Sequence, residues 1–264
     1  MKITRSKVAG LTVNLMDSCD QCTYCWNNAL NERFHPDSVG NLQVDHNIEE
    51  FLEQLDRGIP TPYPENEVQF CQREYWDIQL SAKCEFFHEQ ALATVPGRDY
   101  SPVKFVLTQF LINRDLGRRV RILSKRNYAG FLPLIPHRAL CGVSITTLDE
   151  KQSTEYQPGA ATPNDLISCL HQLNTAGRFT WCVVEPFFTG MNLLELVKQV
   201  PFLLQLWVGR LNGKGRDGYD VPTDEEIIVQ FDEARRWARK YAPQMNIMLK
   251  KELIGKLRAG RTER

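Results

Sequence analysis

The chain has 264 residues, of which 42% are hydrophobic and 24% are charged. These are ordinary values for a globular protein, so the composition excludes a disordered or collagen-like chain and predicts a sizeable core. Lys and Arg together number 32, as do Asp and Glu, so the formal net charge is zero and only a local patch could attract nucleic acid or a membrane surface.

Short apolar and β-branched runs alternate with helical patterns along the chain. The apolar runs are typical of strands in a buried parallel sheet and occur at residues 10–16, 67–70, 120–123, 140–145, 179–184 and 203–208. The helical patterns occupy residues 47–56, 102–115, 164–175, 193–199 and 224–241. This alternation predicts parallel strands joined by right-handed crossovers, in either an open sheet or a barrel.

The helix predicted near residue 164 has the clearest boundary signals. Thr162 suits the N-cap, Pro163 the first helical position, and Gly177 the stop.

The cysteines are the most informative residue type in this sequence. We expect a cytoplasmic protein without a membrane partner, because the N-terminus has no run typical of a signal peptide and no segment reaches the ~20 apolar residues of a membrane span. Its eight cysteines should therefore stay reduced, and a cluster of them indicates metal binding or chemistry rather than disulfides.

Three of these cysteines form such a cluster, directly after the first predicted strand. Cys19, Cys22 and Cys25 lie within seven residues. Three thiolates can hold three irons of a [4Fe–4S] cluster and leave the fourth iron open to an external ligand. Zinc is the alternative, although the next histidine, His35, is ten residues on and follows no further cysteine.

At these residues the sequence resembles the radical S-adenosylmethionine (SAM) enzymes, in which a three-cysteine loop after the first strand binds such a cluster. Tyr24, just before the last cysteine, strengthens the resemblance. The family usually has three residues between the first two cysteines, and this chain has two, Asp20 and Gln21. The resemblance implies that the open iron binds the amino and carboxylate groups of SAM, with Tyr24 in the cofactor site.

A closer similarity is to the spore photoproduct lyase-like branch of that superfamily. It is carried by four segments that follow predicted strands in the same order as in that branch: 121–125, 143–149, 157–160 and 185–192. The resemblance implies that Lys125 contacts the cofactor carboxylate and that Ser144 also contacts the cofactor. A solvent-exposed lysine and a satisfied core serine are the alternative interpretations of these two residues.

Cys71 is the remaining candidate, at the end of the second predicted strand. The photoproduct lyases that this chain resembles carry a hydrogen-donating cysteine in a comparable place, which implies the same catalytic role for Cys71. The alternative is a small buried hydrophobic residue.

Together these features predict a partial (β/α)6 barrel of the radical SAM type over residues 1–242, followed by a short basic helical tail, 243–264. We expect an enzyme of undetermined lyase or oxidoreductase class that uses a [4Fe–4S] cluster to cleave SAM to a 5′-deoxyadenosyl radical. Its substrate would be a small molecule, a nucleotide or a nucleic-acid photoproduct, and its partner an electron donor such as a flavodoxin or ferredoxin. The alternative is a non-catalytic zinc protein associated with nucleic acid through the basic tail.

Overall fold

A computed structural model describes residues 1–6, 10–16, 23–24, 44, 47–62, 76–81, 85–211, 218–250 and 253–254. The chain divides into two compact units, Met1–Leu140 and Cys141–Arg264.

The first unit contains four neighbouring strands in chain order. They are β1 (Ile3–Ser6), β2 (Gly10–Val13), β3 (Ile78–Leu80) and β4 (Val120–Ser124), with β1 antiparallel to β2 and the other neighbours parallel. The helices described here are α1 (Ile48–Arg57), α2 (Glu89–Leu92), α3 (Pro102–Ile112) and α4 (Arg114–Gly117), with a 3-10 helix at Ala129–Leu134. The carboxyl ends of β2, β3 and β4 therefore share one edge of this sheet.

One face of this sheet carries a buried polar row. Thr12 is in register with Gln79, and Gln79 with Arg121, while the residues on either side of each are apolar and buried. The Arg121 Nε donates a hydrogen bond to the Gln79 Oε1 at 3.1 Å. Burial lowers the pKa of Arg121 to about 9, against a smaller opposing effect of the Asp77 charge. The first unit thus keeps a cationic side chain in its interior, held by a neighbouring amide.

The second unit repeats the strand–helix alternation. Its strands are β5 (Leu140–Ser144, which begins at the boundary), β6 (Phe179–Val184), β7 (Gln205–Val208) and β8 (Asn246–Leu249), and β6, β7 and β8 are parallel neighbours. Its described helices are α5 (Glu150–Tyr156), α6 (Pro163–Thr175), α7 (Leu193–Gln199) and α8 (Asp224–Tyr241).

Local sequence signals explain where two of these helices begin. The Thr162 hydroxyl accepts a hydrogen bond from the Asp165 amide at 3.1 Å, and Pro163 is the first residue of α6. Gly177 follows the helix with φ of 71°, a conformation that glycine adopts without strain. Helix α8 starts with a capping box between Thr223 and Glu226.

The predicted elements within the described residues are largely confirmed, although helices α2 and α5 and the 3-10 helix were not predicted. Other differences concern the strands, one predicted helix and the predicted tail. Strands β1, β3 and β8 were not predicted, and the predicted strand at 67–70 lies outside the described residues. The helix predicted at 102–115 is two helices separated at Asn113, whose side chain caps α4. The segment predicted as a helical tail from residue 243 contains strand β8, so the sheet extends further along the chain than the pattern indicated. Within the described residues, no helix has the length and apolar character needed to cross a membrane.

Candidate cofactor site

Lys125 directly follows β4, at the carboxyl end of that strand. Its Nζ donates a hydrogen bond to the Tyr24 hydroxyl and lies 4.6 Å from the centroid of the Tyr24 ring. Tyr24 stands in the sequence between Cys22 and Cys25. The structure therefore brings together two of the residues predicted to bind the cofactor. Cys19, Cys22 and Cys25 themselves lie outside the described residues, so their predicted role as cluster ligands stays a prediction.

The backbone at Lys125 is fixed by a buried carboxylate. Glu85 is 6% exposed, and its Oε2 accepts a hydrogen bond from the Lys125 amide at 2.7 Å. Its Oε1 accepts from the Ser124 hydroxyl at 2.7 Å and from the Phe87 amide at 3.0 Å. Burial raises the pKa of Glu85, although the three hydrogen bonds and the positive charge of Arg126 oppose this effect. Glu85 thus ties the segment after β3 to the end of β4.

Glu85 was not among the residues that sequence reasoning selected. It follows β3, a three-residue strand whose pattern Ile78-Gln79-Leu80 is too short to stand out. The only available signal was an acidic residue, Glu85, directly before an apolar pair.

Ser144 is the last residue of β5 and is 4% exposed. Its hydroxyl has no hydrogen-bond partner among the described residues, which leaves it available to a ligand. The serine therefore lies at a strand end in the second unit, as the sequence predicted.

The segments after β5, α5 and β6 contact one another within the second unit. The Gln157 side-chain amide donates to the Thr146 hydroxyl, and the Phe188 amide donates to the Thr146 carbonyl at 3.2 Å. A Cβ added to Gly190 would lie 2.4 Å from the Thr147 Oγ1 and 2.7 Å from the Asp149 Cβ. Three of the four segments that carry the family resemblance thus form one packed layer that requires glycine at position 190.

A partly buried ion pair joins two further strand ends of this unit. Glu185 follows β6, Lys250 follows β8, and their charged groups are in direct contact. The pair lies against Gly209, which directly follows β7. A Cβ added to Gly209 would lie 2.8 Å from the Lys250 Cδ and 2.9 Å from the Glu185 Oε1. Lys250 falls in the predicted basic tail, 243–264, yet its side chain is only 7% exposed and therefore does not belong to a solvated basic surface.

The remaining cysteines divide into buried and undescribed ones. Cys141, Cys169 and Cys182 are buried thiols that are not in disulfides, as expected for core residues, and burial raises the pKa of Cys182 to about 12. Cys71 lies outside the described residues. The strand that Cys71 is predicted to end, residues 67–70, also lies outside the described residues, so the predicted role of Cys71 stays a prediction. Among the described strands, β3 pairs with β2, and it starts seven residues after Cys71. Among the cysteines, Cys84 is the one that follows β3 in sequence, and it also lies outside the described residues.

Comparison with known proteins gives similarity at the level of structure. No protein-family model matches the chain, and no curated protein sequence matches it significantly. Spore photoproduct lyase in complex with a dinucleoside spore photoproduct aligns with a TM-score of 0.59 and 16% identity, over 94% of this chain and 79% of that one.

Two other solved structures show the same likeness. A double variant of spore photoproduct lyase with bound SAM and the dinucleoside photoproduct aligns with a TM-score of 0.56 and 16% identity, over 90% of this chain and 76% of that one. SuiB from Streptococcus suis aligns with a TM-score of 0.50 and 12% identity, over 90% of this chain and 48% of that one. Both proteins are radical SAM enzymes. The predicted fold class, an α/β partial barrel of the radical SAM type, is thereby confirmed, and the resemblance seen in the sequence holds at the level of the fold.

Proposed function

We propose that this protein is a radical SAM enzyme. The observation that carries the proposal is the contact between Lys125 and Tyr24. It joins a cation at the end of a parallel strand to the residue that stands between two of the three clustered cysteines. The carboxyl ends of strands are where α/β folds of this kind place their active sites.

The residues fit the groups that this chemistry needs. Three closely spaced thiols suit a [4Fe–4S] cluster with one open iron, and the Lys125 ammonium and the free Ser144 hydroxyl suit the charged and polar groups of SAM. When bound, the cluster supplies the electron that cleaves SAM to a 5′-deoxyadenosyl radical.

The chain's own residues then have distinct tasks. Lys125 binds the cofactor carboxylate through a charge-assisted hydrogen bond. Tyr24 restricts the positions that the Lys125 ammonium group can take. The Ser144 hydroxyl either donates one hydrogen bond to the cofactor or accepts one from it. Glu85 is not assigned a contact with the cofactor. It fixes the backbone from which the Lys125 side chain projects and is therefore a positioning residue.

The substrate and the hydrogen donor are further parts of the proposal. The similarity to a lyase bound to a dinucleoside photoproduct favours a nucleotide or a nucleic-acid photoproduct over other substrates. Cys71 remains the proposed thiol that returns a hydrogen atom to the product radical, and Cys84 competes for this role because it follows β3. We also propose a cytoplasmic location and an electron donor such as a flavodoxin or ferredoxin.

The cysteine loop provides the decisive experiment. Anaerobic reconstitution with iron and sulfide should give a brown protein that cleaves SAM to 5′-deoxyadenosine when reduced. Replacing Cys19, Cys22 or Cys25 singly by Ala should abolish this cleavage, because three thiolates are needed to hold a cubane that keeps one iron open.

The matched control is Cys169→Ala, which removes a buried thiol on α6. It should keep iron content and cleavage. A colourless wild-type protein with one zinc per chain, or a single loop variant with full iron and full activity, would contradict the proposal. The first of these results would favour the zinc protein considered above.

A further inference from the structure

The C-terminal half of α8 carries an arginine face formed by Arg235, Arg236 and Arg239. Together with Asp232 these residues line a surface cavity of about 450 Å³. Arg236 and Arg239 are exposed and Arg235 is half-buried. Their spacing of one, three and four residues places them side by side on the helix surface. Three cations against one carboxylate give this cavity a local charge of about +2 at neutral pH.

The guanidinium groups of this face are not engaged within the protein. In the part of the chain that the structure describes, none of the three makes a hydrogen bond or an ion pair. Asp232 and Arg236 have the i,i+4 spacing that often gives a pair, yet they form none. Arg235 has only a cation–π contact, with its Cζ 5.8 Å from the Phe231 ring centroid. The donors of the arginine face therefore remain free for an external anion.

Two aromatic side chains flank the arginine face. The rings of Trp237 and Tyr241 lie 5.4 Å apart, and Tyr241 is 58% exposed. On the circumference of the helix, Lys240 lies between the arginine face and the two rings. Its Nζ is 4.9 Å from the centroid of the Tyr241 ring. An exposed ring beside a row of cations is the combination that binds single-stranded nucleic acid, with phosphates on the cations and bases stacked on the ring.

We propose that the arginine face and Tyr241 form a binding surface for single-stranded nucleic acid. The helix dipole favours cations in the last turn of α8, which accounts for Arg239 and Lys240 but not for Arg235, Arg236 or the exposed ring. Because α8 runs from the end of β7 back to the start of β8, this surface lies toward the amino ends of those strands. Within the second unit, this surface is thus at the opposite end of β7 and β8 from their carboxyl ends.

The test measures binding of a fluorescein-labelled oligothymidylate to the full chain, without iron or SAM, by fluorescence anisotropy over a range of salt concentrations. The triple variant Arg235→Gln, Arg236→Gln, Arg239→Gln should bind at least about tenfold more weakly at low salt. The slope of log affinity against log salt concentration should decrease in magnitude by about 2. Each phosphate contact to a single strand contributes about 0.7 to this slope, and the variant removes three cations.

The matched control is a triple variant that removes the same charge from exposed arginines of the first unit: Arg98→Gln, Arg114→Gln, Arg138→Gln. It should bind like the wild type. Tyr241→Ala should weaken binding about fivefold or more without changing the salt slope, and Tyr241→Phe should restore it, because stacking needs the ring and not the hydroxyl.

Two results would overturn the proposal. One is equal binding by the wild type and the α8 triple variant. The other is displacement of the oligonucleotide by polyglutamate of equal charge as readily as by unlabelled oligothymidylate, which would identify a surface for acidic proteins instead. Because the assay needs neither cluster nor cofactor, either result leaves the proposed radical SAM chemistry untouched.

Discussion

The backbone of Lys125 is held in position by Glu85, whose side chain is buried. The carboxylate accepts three hydrogen bonds, one of them from the Lys125 amide. A Gln side chain at this position would keep one acceptor oxygen but would turn an NH2 group toward the Lys125 N–H. Two donors would then face each other, and the backbone at Lys125 would lose its anchor.

We therefore expect Glu85→Gln to lower the free energy of unfolding at neutral pH by about 1–3 kcal/mol, the cost of an unpaired buried donor. The variant should also change the pH dependence. Because burial raises the pKa of Glu85 above its ordinary value of 4.5, the folded state holds the proton more tightly than the unfolded chain. The stability that Glu85 contributes is thus complete below that value and declines as pH rises through the raised pKa.

Urea unfolding at a series of pH values measures both effects. The wild type should lose stability over that pH window, and Glu85→Gln should lack this component. The control is Glu155→Gln, which alters an exposed carboxylate of α5. Curves that run parallel for the wild type and Glu85→Gln would show that the charge of Glu85 does not govern this region.

At the residue level, sequence reasoning could place Lys125 and Ser144 but not Glu85. The first two follow apolar runs that are visible in the sequence, so their location at strand ends follows from the strands themselves. The role of Glu85 depends on which strands are neighbours: it bonds to Ser124 and Lys125, some 40 residues away. Such a partner is set by tertiary pairing, which local patterns do not show.

The strands that escaped prediction are those whose stability comes from their neighbours. β3 has three residues with the polar Gln79 at its centre, and β8 is the run Asn246–Leu249 within the predicted tail. Both are held by parallel pairing on at least one side. The start of helix α6, in contrast, is indicated by local signals, the N-cap residue Thr162 and Pro163 at the first helical position. The bounds of this helix could therefore be predicted to within one residue.

The layer around Gly190 offers a test at the level of elements. Gly190→Ala would push a Cβ to 2.4 Å from the Thr147 Oγ1 and 2.7 Å from the Asp149 Cβ. Since these atoms belong to the N-terminal cap of α5, the layer must shift, and we expect a loss of about 1–3 kcal/mol in the free energy of unfolding.

The matched control is Gly130→Ala, because a Cβ at Gly130 would meet nothing within 4 Å. Chemical denaturation of both variants gives the comparison. Equal stability of Gly190→Ala and the wild type would mean that the segments after β5 and β6 are not packed as described.

For the whole molecule, a net charge of zero hides an uneven distribution. Helix α8 concentrates acidic residues in its first turn and basic ones toward its end, so the average says nothing about the local field. Composition could therefore exclude a uniformly basic nucleic-acid binder, but it could not locate the arginine face. That face depends on helix periodicity and on the absence of partners among the residues that the structure describes.

The fold as a whole should respond to the cofactor. A ligand that binds only the native state stabilises it by RT ln(1 + [L]/Kd), which is about 2.7 kcal/mol at one hundred times the Kd. For a chain of this size, each kcal/mol raises the Tm by about 2–4 °C, so SAM at that concentration should raise the Tm of the reconstituted protein by about 5–10 °C.

Lys125→Ala should reduce this shift to about half without changing iron content. Loss of a charge-assisted contact costs about 1.5–3 kcal/mol and weakens SAM binding about tenfold or more, so the same SAM concentration stabilises the variant by only about 1.4 kcal/mol. Ser144→Ala should act in the same direction, and Lys151→Ala, which removes an exposed lysine of α5, should retain the full shift.

Differential scanning calorimetry of the anaerobic protein with and without SAM provides the measurement. If both site variants kept the full shift while the wild type responded to SAM, Lys125 and Ser144 would have no place in the cofactor site, whereas a wild type that did not respond would exclude SAM itself.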